Sequence, residues 1–213
     1  MPCADALQRV TLFYRNAILN GQGGSIMNVI QTELNGVLII EPDAFKDPRG
    51  FFMETYNRQR YCQAGIEHVF VQDNLSFSVK NTLRGLHFQI SHPQAKLVQV
   101  IAGEIFDVAV DIRPASTSFG KWTGITLSGQ NKRQLFIPEG FAHGFCVLSE
   151  TAYFSYKCSD FYAPGDEGGL LWSDPGIGIQ WPVQKAIVSE KDKVYPHLAD
   201  LVPEQLPGAR EKA

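Results

Sequence analysis

From residue 36 onward the chain is written in short runs of β-branched and aromatic residues, each closed by glycine, proline, asparagine or aspartate. The runs over residues 37–40, 51–55, 86–90, 97–101, 105–112, 122–127, 134–137, 144–148 and 152–157 have the length and composition of strands. Residues 57–64 are the one good helical stretch among them, with Asn57 placed to cap it and Gly65 to stop it. About ten short strands with little helix predict an all-β domain, a jelly roll or double-stranded β-barrel with short peripheral helices. No internal repeat is visible. Residues 1–26 read differently: an amphipathic helix over residues 4–19, a glycine-rich stretch over 21–24, then Met27, where the domain proper is expected to begin. The predicted organisation is an N-terminal extension over 1–26 without recognisable chemistry, a domain over 27–205 and a tail over 206–213.

With 213 residues, 44% hydrophobic and 19% charged, the chain can bury one sizeable core, near the upper range for a single β domain. The net charge of −3 argues against bulk attraction to nucleic acid or to an anionic membrane. A phosphate-bearing ligand would therefore need a local basic cluster. No run approaches the ~20 apolar residues of a membrane span, and Arg9 and Arg15 interrupt the apolar stretch at the N-terminus, so a secretion signal is not expected. Cys3, Cys62, Cys146 and Cys158 lack CxxC spacing and the density of a disulfide scaffold. Reduced thiols and a cytoplasmic location follow as expectations, and none of the four sits in a nucleophile motif.

Two segments carry candidate chemistry. In Arg84-Gly85-Leu86-His87-Phe88-Gln89, strict alternation puts Leu86 and Phe88 on one face and Gly85, His87 and Gln89 on the other. In Pro138-Glu139-Gly140-Phe141-Ala142-His143-Gly144-Phe145, a turn leads into a strand headed by a second histidine. Either imidazole taken alone is read as structural, satisfied by local hydrogen bonds; together they point into one cavity. The PxGxxH pattern resembles the second half of the cupin signature, whose first half supplies HxH and a glutamate to a metal. Here that half reads His87-Phe88-Gln89, and Val147 stands where an asparagine is often found. With so few nitrogen ligands no tightly held iron or zinc is expected, which leaves both histidines for acid–base work.

Further motifs stand in order along the chain: Asp47-Pro48-Arg49-Gly50-Phe51-Phe52-Met53-Glu54, Gln72-Asp73-Asn74, Lys96, Tyr156-Lys157, Tyr162-Ala163-Pro164 and Glu167. With the two histidine segments they resemble the dTDP-4-dehydrorhamnose 3,5-epimerase family over residues 27–204. The resemblance implies a cupin-type fold and a cofactor-independent isomerase, without a metal, acting on a dTDP-linked 4-keto-6-deoxyhexose. It implies that His87 removes a proton beside the ketone, that Asp192 holds its tautomer, and that Tyr156 returns a proton from the opposite face. Glu190 is the alternative to Asp192 if the register of this tail slips by two residues. Lys96 and His143 would sit near the sugar, and Asp107 is inferred as a partner of His143. Tyr162 would stack on thymine. Arg49, Arg84 and Lys191 would meet the diphosphate or lie beside it, and Glu54, Gln72, Asn74 and Glu167 match polar ligand contacts. A homodimer is implied, in which Arg49 and Glu54 serve the neighbour's site.

Each assignment has a plainer competitor: Arg84 as a strand bridge, Lys96 as a solvated edge residue, Tyr156 as core. Other functions kept open are an epimerase acting at a single carbon of another deoxysugar, a metal-dependent cupin oxygenase and a non-catalytic sugar-binding cupin. Tyr156 favours double inversion, because the second centre also demands a well-placed acid.

Overall fold

The computed structural model describes residues 27–207; the extension over 1–26, its expected helix and the end of the tail lie outside the described residues. The strands in chain order are β1 (Met27–Gln31), β2 (Leu38–Pro42), β3 (Ala44–Asp47), β4 (Gly50–Met53), β5 (Gln72–Val79), β6 (Thr82–Gln89) and β7 (Lys96–Ala102). They continue with β8 (Glu104–Asp111), β9 (Trp122–Ser128), β10 (Gln134–Ile137), β11 (Phe141–Val147), β12 (Thr151–Cys158), β13 (Glu167–Gly169) and β14 (Ile187–Val188). One α-helix, α1 (Arg58–Gln63), lies between β4 and β5; the Asn57 side chain accepts from the Gln59 and Arg60 backbone amides, as the sequence predicts.

The strands form two facing sheets, ordered β1-β2-β10-β7-β12-β5 and β13-β6-β11-β8-β9, with β14 pairing parallel to β6. This is the expected all-β jelly roll of cupin type. The alternation along β8 and β11 explains how one sheet serves two cores. Ile105, Ala109, Phe141, Phe145 and Val147 point between the sheets, against Val98, Val100, Ala152 and Phe154. Phe106, Val108, Val110 and Ala142 point outward with Leu86 and Phe88, beneath a cover that includes Leu170, Ile177, Trp181 and Leu206. A third cluster packs Tyr61 and Ile66 on Leu38, Ile40, Leu97 and Phe136, so α1 and its loop cover the other sheet.

Asp111 closes the end of β8. Its fully buried carboxylate accepts from Arg113 at 2.6 and 2.9 Å, from Ser116 at 2.6 Å and from Ser118 at 2.7 Å. Burial alone would raise its pKa, but these hydrogen bonds outweigh it and hold the carboxyl at about 2. Because the folded value lies below the unfolded one, the group stabilises fully above about pH 4 and loses that contribution as pH falls toward 2. The stability difference between wild type and Asp111→Asn, measured by urea unfolding, should therefore narrow by on the order of 2 kcal/mol between pH 5 and pH 2.

Candidate active site

The two histidines are brought together by the pairing of β6 with β11. His143 is the partner of His87, but Phe145 is the partner of Arg84, so β6 carries one extra residue over this stretch, a β-bulge. The bulge needs glycine on both strands. Gly85 has φ +130°, and a Cβ there would lie 2.5 Å from Gly144 Cα. Strict alternation would leave Arg84 on the face opposite His87; with the extra residue, Arg84 lines the cavity beside His87 and Gln89, while Gly85 packs against backbone. The expected face is corrected accordingly.

His87 is tethered from the C-terminal segment. Its Nε2 lies 2.7 Å from Asp192 Oδ1, and Asp192 Oδ2 accepts from the Gly85 amide at 3.3 Å. The Asp192 backbone amide donates to Ser189 Oγ at 3.2 Å. Burial tends to raise the Asp192 pKa, but the bond to His87, its charge and the Gly85 amide lower it below the usual carboxylate value, so the group stays ionised through the neutral range. With Nε2 bound to a carboxylate, the imidazole carries its proton there and leaves Nδ1 as the basic nitrogen. Glu190 instead pairs with Lys193 at 2.6 Å on the surface. The tail register thus selects Asp192.

The cavity has a volume of about 930 Å³ and is walled by both sheets. One wall holds His87, Arg84 and Gln89 from β6 and His143 from β11; the facing wall holds Gln72, Asn74 and Ser76 from β5, Lys96 from β7, and Tyr156 and Cys158 from β12. His143 Nε2 lies 3.0 Å from both oxygens of the fully buried Asp107, the pairing inferred from sequence. Burial raises the Asp107 pKa, and the neighbouring imidazole opposes that rise. Burial also lowers the Lys96 pKa, against the attraction of Cys158 and Glu167. Lys96 is no solvated edge residue. Its Nζ donates to Gln94 Oε1 at 3.1 Å. Tyr156 sits beside Phe154, and burial raises its phenol pKa. Arg84 also bridges, donating to Ser78 Oγ at 3.1 Å, so the plainer reading of that residue holds alongside its place in the cavity.

Tyr162 stands at the lip, 52% exposed, with its amide donating to Gln72 Oε1 at 2.9 Å. Glu167 lies between Lys191, at 2.8 Å, and His87, whose Nδ1 is 3.9 Å from its carboxylate. Arg49 and Glu54 do not join them. Arg49 pairs with Asp47 at the exposed β3–β4 tip, and Glu54 pairs with Arg60 at 2.6 Å. Sequence reasoning missed Gln94 and Ser76, which also line the cavity, and the work done by Gln89. Gln89 donates to the carbonyls of His92 and Phe161 and accepts from the Ala163 amide at 2.8 Å, so it anchors the loop that carries Tyr162. Its place on the His87 face was the available signal. Among the described residues no three His, Cys, Asp or Glu side chains converge as a metal site, and Cys146 and Cys158 are buried free thiols.

The family model of the dTDP-4-dehydrorhamnose 3,5-epimerases matches residues 31–200. The dTDP-4-dehydrorhamnose 3,5-epimerase of Shigella flexneri is 58% identical over 78% of this chain and 93% of its own length. That of Methanothermobacter thermautotrophicus is 52% identical over 80% of this chain and 94% of its own. A crystal structure of the dTDP-6-deoxy-D-glucose-3,5-epimerase of Legionella pneumophila in complex with dTDP-4-keto-L-rhamnose superposes with a TM-score of 0.83 at 50% identity, covering 85% of this chain and 97% of that one. The bulged strand pair, the carboxylate-bound imidazole and these matches have one common reading: the chain belongs to the dTDP-4-dehydrorhamnose 3,5-epimerase family.

Proposed function

We propose that this cavity inverts carbons 3 and 5 of a dTDP-linked 4-keto-6-deoxyhexose, giving dTDP-4-dehydro-L-rhamnose. The observation that carries the reading is His87 on one sheet, held by Asp192 of the C-terminal segment, facing Tyr156 on the other sheet across a single cavity. A hydrogen next to a ketone is weakly acidic, so its removal needs a base in reach and a donor to the enolate oxygen. His87 Nδ1 takes the proton. Lys96 and His143 serve the oxygen. Tyr156 gives a proton to the same carbon from the other side of the ring; burial keeps that proton on the phenol until an enolate more basic than itself forms. Each inversion leaves His87 protonated and Tyr156 ionised, and exchange with solvent resets both. Only protons move, so electrons balance without a cofactor.

Arg84 and Lys191 supply the local positive charge a diphosphate requires, and Tyr162 offers its ring to thymine. Gln72, Asn74 and Glu167 line the same cavity as polar contacts. Incubation of the dTDP-4-keto sugar in deuterated water tests the reading: label should enter at two carbons. Label at one carbon would make the chain a single-site epimerase, and label at none would remove the epimerase reading.

The working unit is a homodimer. The outer face of the edge strand β5 exposes Leu75 at 66%, Phe77 at 50% and Val79 at 49%, beside Tyr153 and Ile101. A contiguous apolar face of this kind marks an interaction surface. The β3–β4 hairpin exposes Phe45, Phe51 and Phe52, and carries Arg49 away from its own cavity, free to serve a neighbour's. The native mass by light scattering should be twice the 23.7 kDa of the chain. The double variant Leu75→Glu, Phe77→Glu should halve it and lower kcat/KM at least ~10-fold, since one charge in a dimer core already costs several kcal/mol. Among the described residues no helix is long and apolar enough to cross a membrane, and the buried free thiols of Cys146 and Cys158 suit a reducing cytoplasm.

A further inference from the structure

The C-terminal segment that delivers Asp192 does a second thing at His87. Gly169 on β13 is the pairing partner of His87, and it leaves a slot beside that histidine: a Cβ on Gly169 would lie 2.4 Å from Cζ of Tyr195. The Tyr195 ring occupies the slot and meets the imidazole at 5.8 Å between centroids, with the planes inclined at 68°. Tyr195 lies three residues after Asp192, and the strand end beside it is tied down where the Leu171 amide donates to Pro196 O at 2.8 Å. Its hydroxyl lies near Lys191, whose Nζ is 2.8 Å from the Glu167 carboxylate. Tyr195 is not part of the cavity lining. It stands behind the base.

We propose that Tyr195 is a positioning residue for His87: its ring, seated in the Gly169 slot, holds the imidazole at the angle at which Nε2 stays on Asp192 and Nδ1 faces the cavity. One hydrogen bond fixes a point on a ring and leaves rotation about that bond open. A second, edge-on contact removes the rotation, and a base even ~1 Å out of place loses much of its rate. The groups facing His87 are Asp192 and Tyr195 from the C-terminal segment, Glu167 with Lys191 behind it, and His143 from β11. None of the others can replace an edge contact. The inference rests on His87 being the base.

The test compares Tyr195→Ala, Tyr195→Leu and Tyr195→Phe with wild type. Two readouts are used: steady-state kinetics on the dTDP-4-keto sugar, and the nitrogen-15 signals of the His87 ring in the unliganded protein, which report which nitrogen carries the proton. The alanine variant should lose kcat by about 10-fold or more with KM within about twofold, the split expected when orientation rather than binding is lost. Its ring signals should move from one tautomer toward a mixture. Phenylalanine keeps the ring and should stay within about threefold of wild type. Leucine fills the slot without a ring edge and should behave as alanine does, which keeps the test decisive if alanine fails to fold. Wild-type kcat and tautomer in the leucine variant would overturn the proposal, as would a phenylalanine variant as impaired as alanine. Because the ring signals are read without substrate, a wild-type chain that labels no carbon would sink the epimerase reading and leave this comparison standing.

Discussion

Replacing His87 with asparagine should leave a folded protein that binds dTDP and epimerises nothing. The side chain is 31% exposed at the cavity surface, so its removal opens no buried void, and thermal unfolding should move by only a few degrees. The chemical loss is larger. A positioned general base contributes about 10²–10⁴-fold to proton transfer, and kcat should fall by that factor with KM changed little. Deuterium entry at both carbons should fall in parallel, because one base is asked to serve both. Persistence of exchange at the wild-type rate would move the base elsewhere, with His143 next in line. A loss at one carbon only would mean that the two centres use different bases.

Asp192→Asn should come close to the same loss without touching the substrate. The carboxylate is nearly buried, at 2% exposure, and both of its oxygens are committed, one to His87 and one to the Gly85 amide. An asparagine fits the space but offers only one acceptor. If its oxygen stays on the Gly85 amide, its NH2 group faces Nε2 and forces the proton onto Nδ1, the nitrogen that must be free. If its oxygen turns to His87, the backbone donor of the bulge loses its partner. Either arrangement costs catalysis, and kcat should drop about 10²–10³-fold, below the His87 loss because a fraction of rings keeps the working tautomer. Glu190→Gln, two residues away and solvent-exposed, should change kcat by less than twofold. The reversed ranking would restore the other register of the tail.

Much of this site was legible in the sequence because its chemistry sits on strands with ordinary patterns. His143 follows a turn motif into a strand buried along its whole length, and the Asn57 cap announces α1. Strand β5 was not legible, and the reason is physical. Its inward residues are Gln72, Asn74, Ser76 and Ser78, and its outward ones Leu75, Phe77 and Val79, the inverse of a strand with a dry core behind it and water in front. Such a strand makes sense only when the inner face is a wet cavity and the outer one an interface. The start of β6 was missed because alternation fails at the bulge, and β13 and β14 because three and two residues carry no period. Tyr195 gave no signal either, since its place depends on the absence of a side chain 26 positions earlier in the chain. Nothing local to it records that.

The pairing of His143 with His87 across neighbouring strands also limits how such a barrel can acquire new sugars. Directly paired residues stand about 4.5–5.5 Å apart, a spacing held by the ladder itself. Widening that gap for a bulkier hexose would mean breaking main-chain bonds in the middle of a sheet. Changes of preference must therefore come from what can be exchanged around this gauge: the loop that bears Tyr162, the C-terminal segment from Ile187 to Asp192, and whatever a second subunit lends.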